Sequence, residues 1–271
     1  MERDEHRHID RAEQLRSARS VTERDPRADG ERQAMFFEGP EYIGKSSLLF
    51  EIYQRHRADG AYYVDLADIP EEEGVLELLA TLAQWQGVEA PSYRTARDRF
   101  AEQSRSTQAD FRNVWARHTT IQLLSESKDR ARETASLSDA LLDNLIEGAR
   151  RPVICLDSFD VCAQPMRNWL GRSLLPALLS RRQVSVFVAG RQLPRLPRAF
   201  TADAVHTLVL PPFDVTAVQE WIEELGLAYL RDQAVAIHRR HGGVPGLLDE
   251  FFRQHIEKRG PARDDQDSRD G

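Results

Sequence analysis

Residues 35–49 read MFFEGPEYIGKSSLL and contain the pattern G-x-x-x-x-G-K-S between Gly39 and Ser46. The apolar residues before the pattern predict a short buried strand, and those after it predict the start of a helix. A strand, a glycine-rich turn and a helix in this order form the structural context in which such a pattern binds phosphate groups. The stretch therefore predicts both an α/β fold and an anion-binding turn.

The turn has the residues that a phosphate cradle requires. Glycines let the backbone bend so that successive N–H groups point inward, and the following helix adds its positive N-terminal end. In a P-loop of this pattern the lysine reaches the β- and γ-phosphates and the serine hydroxyl binds Mg²⁺, roles that fall on Lys45 and Ser46. We predict a nucleoside triphosphate site formed by Gly39, Pro40, Glu41, Tyr42, Ile43, Gly44, Lys45, Ser46 and Ser47. The alternative is a surface turn in which Lys45 is a solvated charge.

Length and composition are those of an ordinary globular chain. The 271 residues are 41% hydrophobic and 30% charged, which is enough for one large domain with a smaller appendage. The net charge of −7 gives the chain as a whole no electrostatic reason to bind nucleic acid, although arginines cluster at 181–182, 191–198 and 239–240.

Three features bear on cellular location. Cys155 and Cys162 lack the partners of a zinc site and are predicted as buried free thiols, which favours a reducing compartment. Residues 1–24 are charged throughout and do not resemble a signal peptide. No apolar run approaches the roughly 20 residues that a membrane-spanning helix needs. We expect a soluble, cytoplasmic protein without a membrane partner.

Apolar runs that alternate with helical patterns predict a parallel sheet flanked by helices. The predicted strands are 35–38, 61–66, 153–157, 184–191 and 206–210. Because all strands of such a sheet end at one edge, the ligand should lie there, beside the P-loop.

The chain is predicted to contain four segments. These are a polar segment with a short helix at 1–34, a P-loop core at 35–212, a helical subdomain at 213–258 and a disordered tail at 259–271. A helical insertion is expected at 71–150, with a polar middle at 94–132 and a strong helix that starts near Ser136 or Ser138.

Two carboxylates follow the buried run 153–157. A P-loop needs an acidic partner for Mg²⁺ at the end of a neighbouring strand, and Asp157 is in that position. It could instead cap the turn after the strand. Asp160 could orient or deprotonate the attacking water, or it could serve as a helix N-cap.

Arg191 closes the predicted strand 184–191 at the same edge of the sheet. A guanidinium there can contact the γ-phosphate and stabilise charge as the bond breaks. The alternative is an ion pair between Arg191 and an acidic side chain near the sheet edge.

The order of these segments resembles the STAND class of P-loop ATPases, relatives of the AAA+ proteins that include the NACHT and NB-ARC switches. Four stretches carry the resemblance: residues 8–15 (HIDRAEQL) resemble the GRE-x-L box, Gly39–Ser46 is the P-loop, residues 156–160 (LDSFD) resemble the acidic strand end, and residues 241–248 (HGGVPGLL) resemble the G-x-P motif. The resemblance implies an ASCE/AAA+-like fold, with ATP and Mg²⁺ as ligands and with Arg11 and Pro245 near the adenine.

The resemblance also implies an ATP-controlled switch in which ATP and ADP bias the packing of the C-terminal helices. Many AAA+ proteins have a glutamate after the metal aspartate, where this chain has Ser158, and NACHT-like members often have one where it has Val161. We therefore expect slow hydrolysis, with a separate protein partner or self-association. The alternatives are a nucleic-acid-associated AAA+-like ATPase, which the arginine clusters favour, and a small-molecule kinase with residues 94–132 as a lid.

Overall fold

The computed structural model describes residues 11–25, 32–69, 72–99, 119–149, 151–200 and 204–259. Three predicted features lie wholly or partly outside this range. They are residues 8–10 of the Arg11 box, residues 100–118 of the insertion and residues 260–271 of the tail.

Five parallel strands form one sheet in the order β2-β3-β4-β1-β5. Their bounds are β1 Ala34–Glu38, β2 Ala61–Asp65, β3 Val153–Asp157, β4 Ser185–Gly190 and β5 Val205–Val209. All residues of β3 and β4 are buried, which explains why both are continuous apolar runs in the sequence. The parallel sheet with its flanking helices confirms the predicted P-loop NTPase class of α/β fold.

Ten α-helices are assigned within the described residues. They are α1 Ala12–Glu23, α2 Lys45–His56, α3 Glu72–Trp85, α4 at 91–99, α5 Thr119–Gly148, α6 Gln164–Trp169, α7 Leu175–Leu179, α8 Val215–Glu224, α9 Ala234–His241 and α10 Pro245–Arg259. Short 3₁₀ turns follow α2 at Arg57–Asp59 and precede α9 at Ala228–Gln233. None of these helices is both long and apolar enough to span a bilayer.

The chain divides into two compact units, each with its own apolar core. The larger comprises Gln14–Gly39 and Lys45–Val209 and contains the sheet. The described residues of the smaller fall within Met1–Glu13, Pro40–Gly44 and Leu210–Gly271. Its core contains Val218, Ile222 and Phe252 among other apolar side chains. The smaller unit therefore combines the C-terminal helices with the tip of the P-loop.

The start predicted for α5, near Ser136 or Ser138, is wrong, because this helix already includes Thr119. The hydroxyl of Ser138 donates to the carbonyl of Thr134, at 2.8 Å, instead of capping a helix end. Serine can satisfy its hydroxyl against the preceding turn in this way, so a serine before an apolar run does not by itself mark a boundary.

Both cysteines are free and buried, as predicted. The pKa of Cys155 on β3 is raised mainly by burial and to a smaller extent by the charge of Asp157. Because only the thiolate is an effective nucleophile, the Cys155 thiol is chemically inert in the folded protein.

Candidate functional site

The parallel sheet brings several predicted residues to one edge of the larger unit. Gly39 follows β1, Asp157 ends β3 and Arg191 follows β4. Strand β4 pairs with both β1 and β3, so Asp157 lies two strands from the P-loop strand and not on its immediate neighbour as expected. The carboxyl edge of this sheet thus displays the P-loop entrance, the metal candidate and the phosphate-sensing candidate.

Helix α2 sets the position of Lys45 and Ser46. The buried side chains of Leu48, Leu49 and Ile52 anchor this helix in the larger unit and fix its first turn, which contains both residues. The Lys45 ammonium donates a hydrogen bond of 2.8 Å to the carbonyl of Gly39, the first residue of the P-loop.

Two donors fix the carboxylate of Asp157, which is only 3% exposed. The Tyr63 hydroxyl donates to Oδ2 at 2.6 Å, and the backbone N–H of Ser158 donates to Oδ1 at 2.7 Å. Ser158 adopts a left-handed conformation with φ 59°, which costs a residue with a side chain about 1–2 kcal/mol. This strain lies at the residue whose backbone N–H donates to the carboxylate of Asp157, the candidate metal ligand.

Tyr63 is a site residue that the sequence analysis missed. It lies on β2, and its ring packs against Phe50 and Tyr53 of α2 at centroid distances of 5.7 and 5.9 Å. Burial and the neighbouring charge of Asp157 raise the pKa of Tyr63, so its hydroxyl stays a donor. The sequence shows Tyr63 only as a tyrosine within an apolar strand. Its hydrogen bond to Asp157 could not be predicted from this, because it depends on the pairing of β2 with β3.

Asp160 and Arg191 bind each other. The Arg191 Nε donates to Oδ2 of Asp160 at 2.5 Å, and the Arg191 backbone N–H donates to Oδ1 at 2.6 Å. The Asp160 side chain is 8% exposed, whereas that of Arg191 is 48% exposed. This geometry corresponds to the alternative considered for Arg191, an ion pair at the sheet edge, and it occupies both carboxylate oxygens of Asp160.

Burial and hydrogen bonding act in opposite directions on Asp160. Burial raises the pKa of its carboxyl, but the side-chain and backbone hydrogen bonds from Arg191 outweigh burial and lower the pKa below its ordinary value. Gly190 makes room for this contact, because a Cβ at that position would lie 3.0 Å from Oδ1 of Asp160. In this arrangement Asp160 is a weak base.

Arg11 contacts the P-loop within the smaller unit. Its Nη2 donates to the carbonyl of Ile43 at 2.9 Å and to that of Pro211 at 3.0 Å. The guanidinium also lies 4.9 Å from the ring centroid of Phe213, at cation–π distance. Arg11 thus joins the P-loop backbone to the segment that leads into α8.

The G-x-P segment reaches the same loop. The N–H of Gly246 donates to the carbonyl of Tyr42 at 2.8 Å, and a Cβ on Gly44 would lie 4.0 Å from Cγ of Pro245. Tyr42 has a positive φ of 64° and its side chain is 67% exposed. The smaller unit therefore brings together Arg11, Pro245 and the loop residues Pro40–Gly44.

Gly243 is required by the turn before α10. It has a φ of 65°, and a Cβ there would lie 2.2 Å from the carbonyl oxygen of Phe213. That carbonyl is 2.9 Å from Nε2 of His238, and the N–H of Phe213 donates to the carbonyl of Gly243 at 2.8 Å. The turn is closed too tightly for any side chain at this position.

The chemistry of the donor set fits Mg²⁺ accompanied by phosphate. No group of three or more His, Cys, Asp or Glu side chains within the described residues could hold a metal alone. Mg²⁺ commonly binds through one or two protein oxygens together with phosphate oxygens and water. The Ser46 hydroxyl and the Asp157 carboxylate are oxygen groups of the type that Mg²⁺ prefers.

No protein-family model matches the chain, and no curated protein matches it either. Solved structures similar to the chain include three of low sequence identity. The STAND (Signal Transduction ATPase with Numerous Domains) protein with a tetratricopeptide repeat sensor from Pyrococcus horikoshii is 14% identical, with a TM-score of 0.48 over 86% of this chain and 28% of that one.

Cdc6p from Pyrobaculum aerophilum is 12% identical, with a TM-score of 0.48 over 80% of this chain and 49% of that one. A chain of the HORMA:CdnC:Trip13 complex from E. coli MS115-1 is 12% identical, with a TM-score of 0.44 over 94% of this chain and 84% of that one. The chain thus spans less than half of the first two proteins. The assignment of the fold rests on the sheet order and on the position of the P-loop after β1.

Proposed function

We propose that this chain binds ATP with Mg²⁺ at its P-loop and is a slow ATPase whose bound nucleotide controls a conformational switch or an assembly. The single observation that carries the proposal is the buried Asp157 carboxylate, oriented by Tyr63 and the Ser158 N–H at the sheet edge where the P-loop begins.

Each proposed role follows from a side chain in a defined place. The Lys45 ammonium would exchange its bond to the Gly39 carbonyl for phosphate oxygens, which form stronger charge-assisted bonds. Ser46 and Asp157 would hold Mg²⁺, which when bound neutralises developing negative charge on the phosphates. Arg11 and Pro245, which meet the loop in the smaller unit, would frame the base.

The Asp160–Arg191 ion pair supports slow turnover. A carboxylate that deprotonates water must be basic, yet the hydrogen bonds from Arg191 to both oxygens of Asp160 lower its pKa. Phosphate is a bidentate partner for guanidinium, so a γ-phosphate would compete with Asp160 for Arg191. We propose that release of this ion pair is the step that links ATP binding to hydrolysis.

Phosphate release tests the catalytic part of the proposal. Asp160→Asn should lower turnover by about 100-fold or more, the lower end of the usual range for loss of a general base, and leave ATP affinity within threefold. Asp143→Asn is the matched control, because Asp143 is an exposed carboxylate that pairs with Arg181. Equal turnover in Asp160→Asn and the control would show that Asp160 is only structural.

Light scattering in ADP and in a non-hydrolysable ATP analogue tests the switch. We expect a change in molar mass if the nucleotide controls assembly, or a change in hydrodynamic radius alone if it controls conformation. Identical elution and mass in both nucleotides would reject the switch and leave a plain ATPase.

A further inference from the structure

The larger unit contains a cavity that none of the roles above uses. Its volume is about 340 Å³, and its lining comes from the loop after β3, from α6 and the residues after it, and from the loop after β4. The lining side chains that carry charge or amide groups are Gln164, Arg167, Asn168, Arg172, Gln192 and Arg195. A volume of this order is at the lower end of the range for small-molecule sites.

An irregular helix builds one wall of the cavity. Residues Leu170–Leu174 form a π-helical turn, and the N–H of Leu175 bonds to the carbonyl of Leu170. Pro176 follows at once and has no N–H to continue the regular pattern. Such turns are frequent at functional sites. Gly171 in this turn lets the opposite wall approach, because a Cβ there would lie 3.0 Å from the Arg195 carbonyl.

The cavity concentrates positive charge without a carboxylate in its lining. Within the described residues, no ion pair to Asp or Glu involves Arg167, Arg172 or Arg195. Several other arginines of this chain are paired with carboxylates. Arg181, for example, lies 2.9–3.0 Å from both Asp139 and Asp143.

Arg167 gives a second, independent indication of a ligand. Its Nη1 reaches only the Asp160 carbonyl, at 3.4 Å, and its Nε is buried with no hydrogen-bond partner in the described part of the chain. A buried donor without a partner destabilises the fold, and an anion in the cavity would remove that cost.

We propose that this cavity, whose lining includes no P-loop residue, is an anion site for a small molecule that carries a diphosphate or two phosphate groups. Three guanidinium groups match two or more phosphate charges, and their planar forks suit phosphate oxygens. The amides of Gln164, Asn168 and Gln192 can bond to the hydroxyl or carbonyl groups of the remaining part of the ligand. An apolar ligand does not fit this lining, in which only Phe159 and Leu193 are large apolar residues.

Pyrophosphate titrated by calorimetry into the Lys45→Ala variant tests the proposal without a contribution from Lys45. We expect binding that weakens about tenfold or more when Arg172→Gln and Arg195→Gln are added, through loss of charge-assisted bonds. Arg57→Gln with Arg94→Gln is the control, since it removes two exposed arginines outside the cavity lining. Because Arg172 and Arg195 are exposed, we expect all variants to fold. If the double variant does not fold, each single variant should still bind pyrophosphate with an affinity between those of Lys45→Ala alone and the double variant.

Three outcomes would overturn the proposal. The first is no pyrophosphate binding by Lys45→Ala at low salt, and the second is an equal loss of affinity in the cavity pair and the control pair. The third is equally tight binding of citrate, which would assign the cavity to carboxylates. Failure of ATP to bind the wild-type protein would contradict the proposed function but leave this result unaffected.

Discussion

At the scale of single residues, the most informative contact is the one between Tyr63 and Asp157. Tyr63 holds the Asp157 carboxylate at 2.6 Å, and its ring packs against Phe50 and Tyr53 on α2. Outer partners of this kind orient metal ligands and tune their affinity. We therefore expect Tyr63 to act as a positioning residue, since it contacts both the P-loop helix and the metal candidate.

Tyr63→Phe should weaken Mg²⁺-dependent ATP binding by about tenfold, the lower end of the range for loss of an outer-shell partner. Calorimetry with Mg²⁺ and with EDTA separates this effect, because affinity in EDTA should not change. Tyr53→Phe is the matched control, since it removes a hydroxyl from the same aromatic cluster. An equal loss in both variants, or a loss that persists in EDTA, would show that Tyr63 does not act through the metal.

Asp160 should make folding stability depend on pH. Its folded pKa is lowered by Arg191, so the unfolded chain takes up this proton at a higher pH than the folded chain does. The stabilisation is complete above the unfolded value of about 4 and is lost as pH falls through the folded pKa. Urea unfolding between pH 6 and 3 should give a smaller loss of stability in Asp160→Asn than in wild type. Parallel profiles would contradict this role.

At the scale of elements, Arg24 fastens α1 to the beginning of β4. Its guanidinium donates to the carbonyls of Val21, Arg182 and Val184 and to the Ser185 hydroxyl, at 2.6–2.9 Å. The Val21 carbonyl lies near the end of α1, and the other two carbonyls lie just before β4. Regular backbone hydrogen bonding ends at such positions. One arginine therefore satisfies two element ends at the same time.

Arg24→Ala should lower the free energy of unfolding by about 2–4 kcal/mol, because it removes the guanidinium donor from the buried Val184 carbonyl and the buried Ser185 hydroxyl. Arg19→Ala on the same helix removes only an exposed ion pair with Glu23 and should cost less than about 1 kcal/mol. Urea denaturation measures both. Similar costs for the two variants would mean that Arg24 does not fasten the helix.

The turn before α10 offers a second comparison, between two left-handed glycines. Gly243→Ala meets the Phe213 carbonyl, whereas a Cβ on Gly226, which has a φ of 66°, would meet nothing within 4 Å. Gly226→Ala should cost only the backbone strain of about 1–2 kcal/mol, and Gly243→Ala clearly more. Thermal unfolding of the pair checks this, and equal shifts would contradict the tight closure.

The sequence was sufficient for elements whose cause is local. Strand β3 is a continuous apolar run that ends in a carboxylate, and the P-loop carries its own glycines, so both could be predicted from their residues alone. Contacts that depend on pairing could not be predicted. Tyr63 meets Asp157 only because β2 lies beside β3, and the π-helical turn depends on how residues 170–176 pack.

At the scale of the whole molecule, the two compact units do not correspond to continuous stretches of the chain. The smaller unit draws its described residues from three separate stretches, and the P-loop residues 40–44 belong to it while Lys45 and Ser46 belong to the larger unit. The division between the units therefore falls within the P-loop sequence, between Gly39 and Pro40 and again between Gly44 and Lys45.

Calorimetric titration of ATP with Mg²⁺ tests the central claim most directly. We predict that the wild-type protein binds ATP and that Lys45→Ala weakens binding by at least about tenfold through loss of charge-assisted bonds. Arg57→Ala is the control. It removes an exposed cation just beyond α2 and should change affinity less than twofold. No binding by the wild-type protein, or equal affinity in wild type and Lys45→Ala, would contradict a nucleotide site at the P-loop.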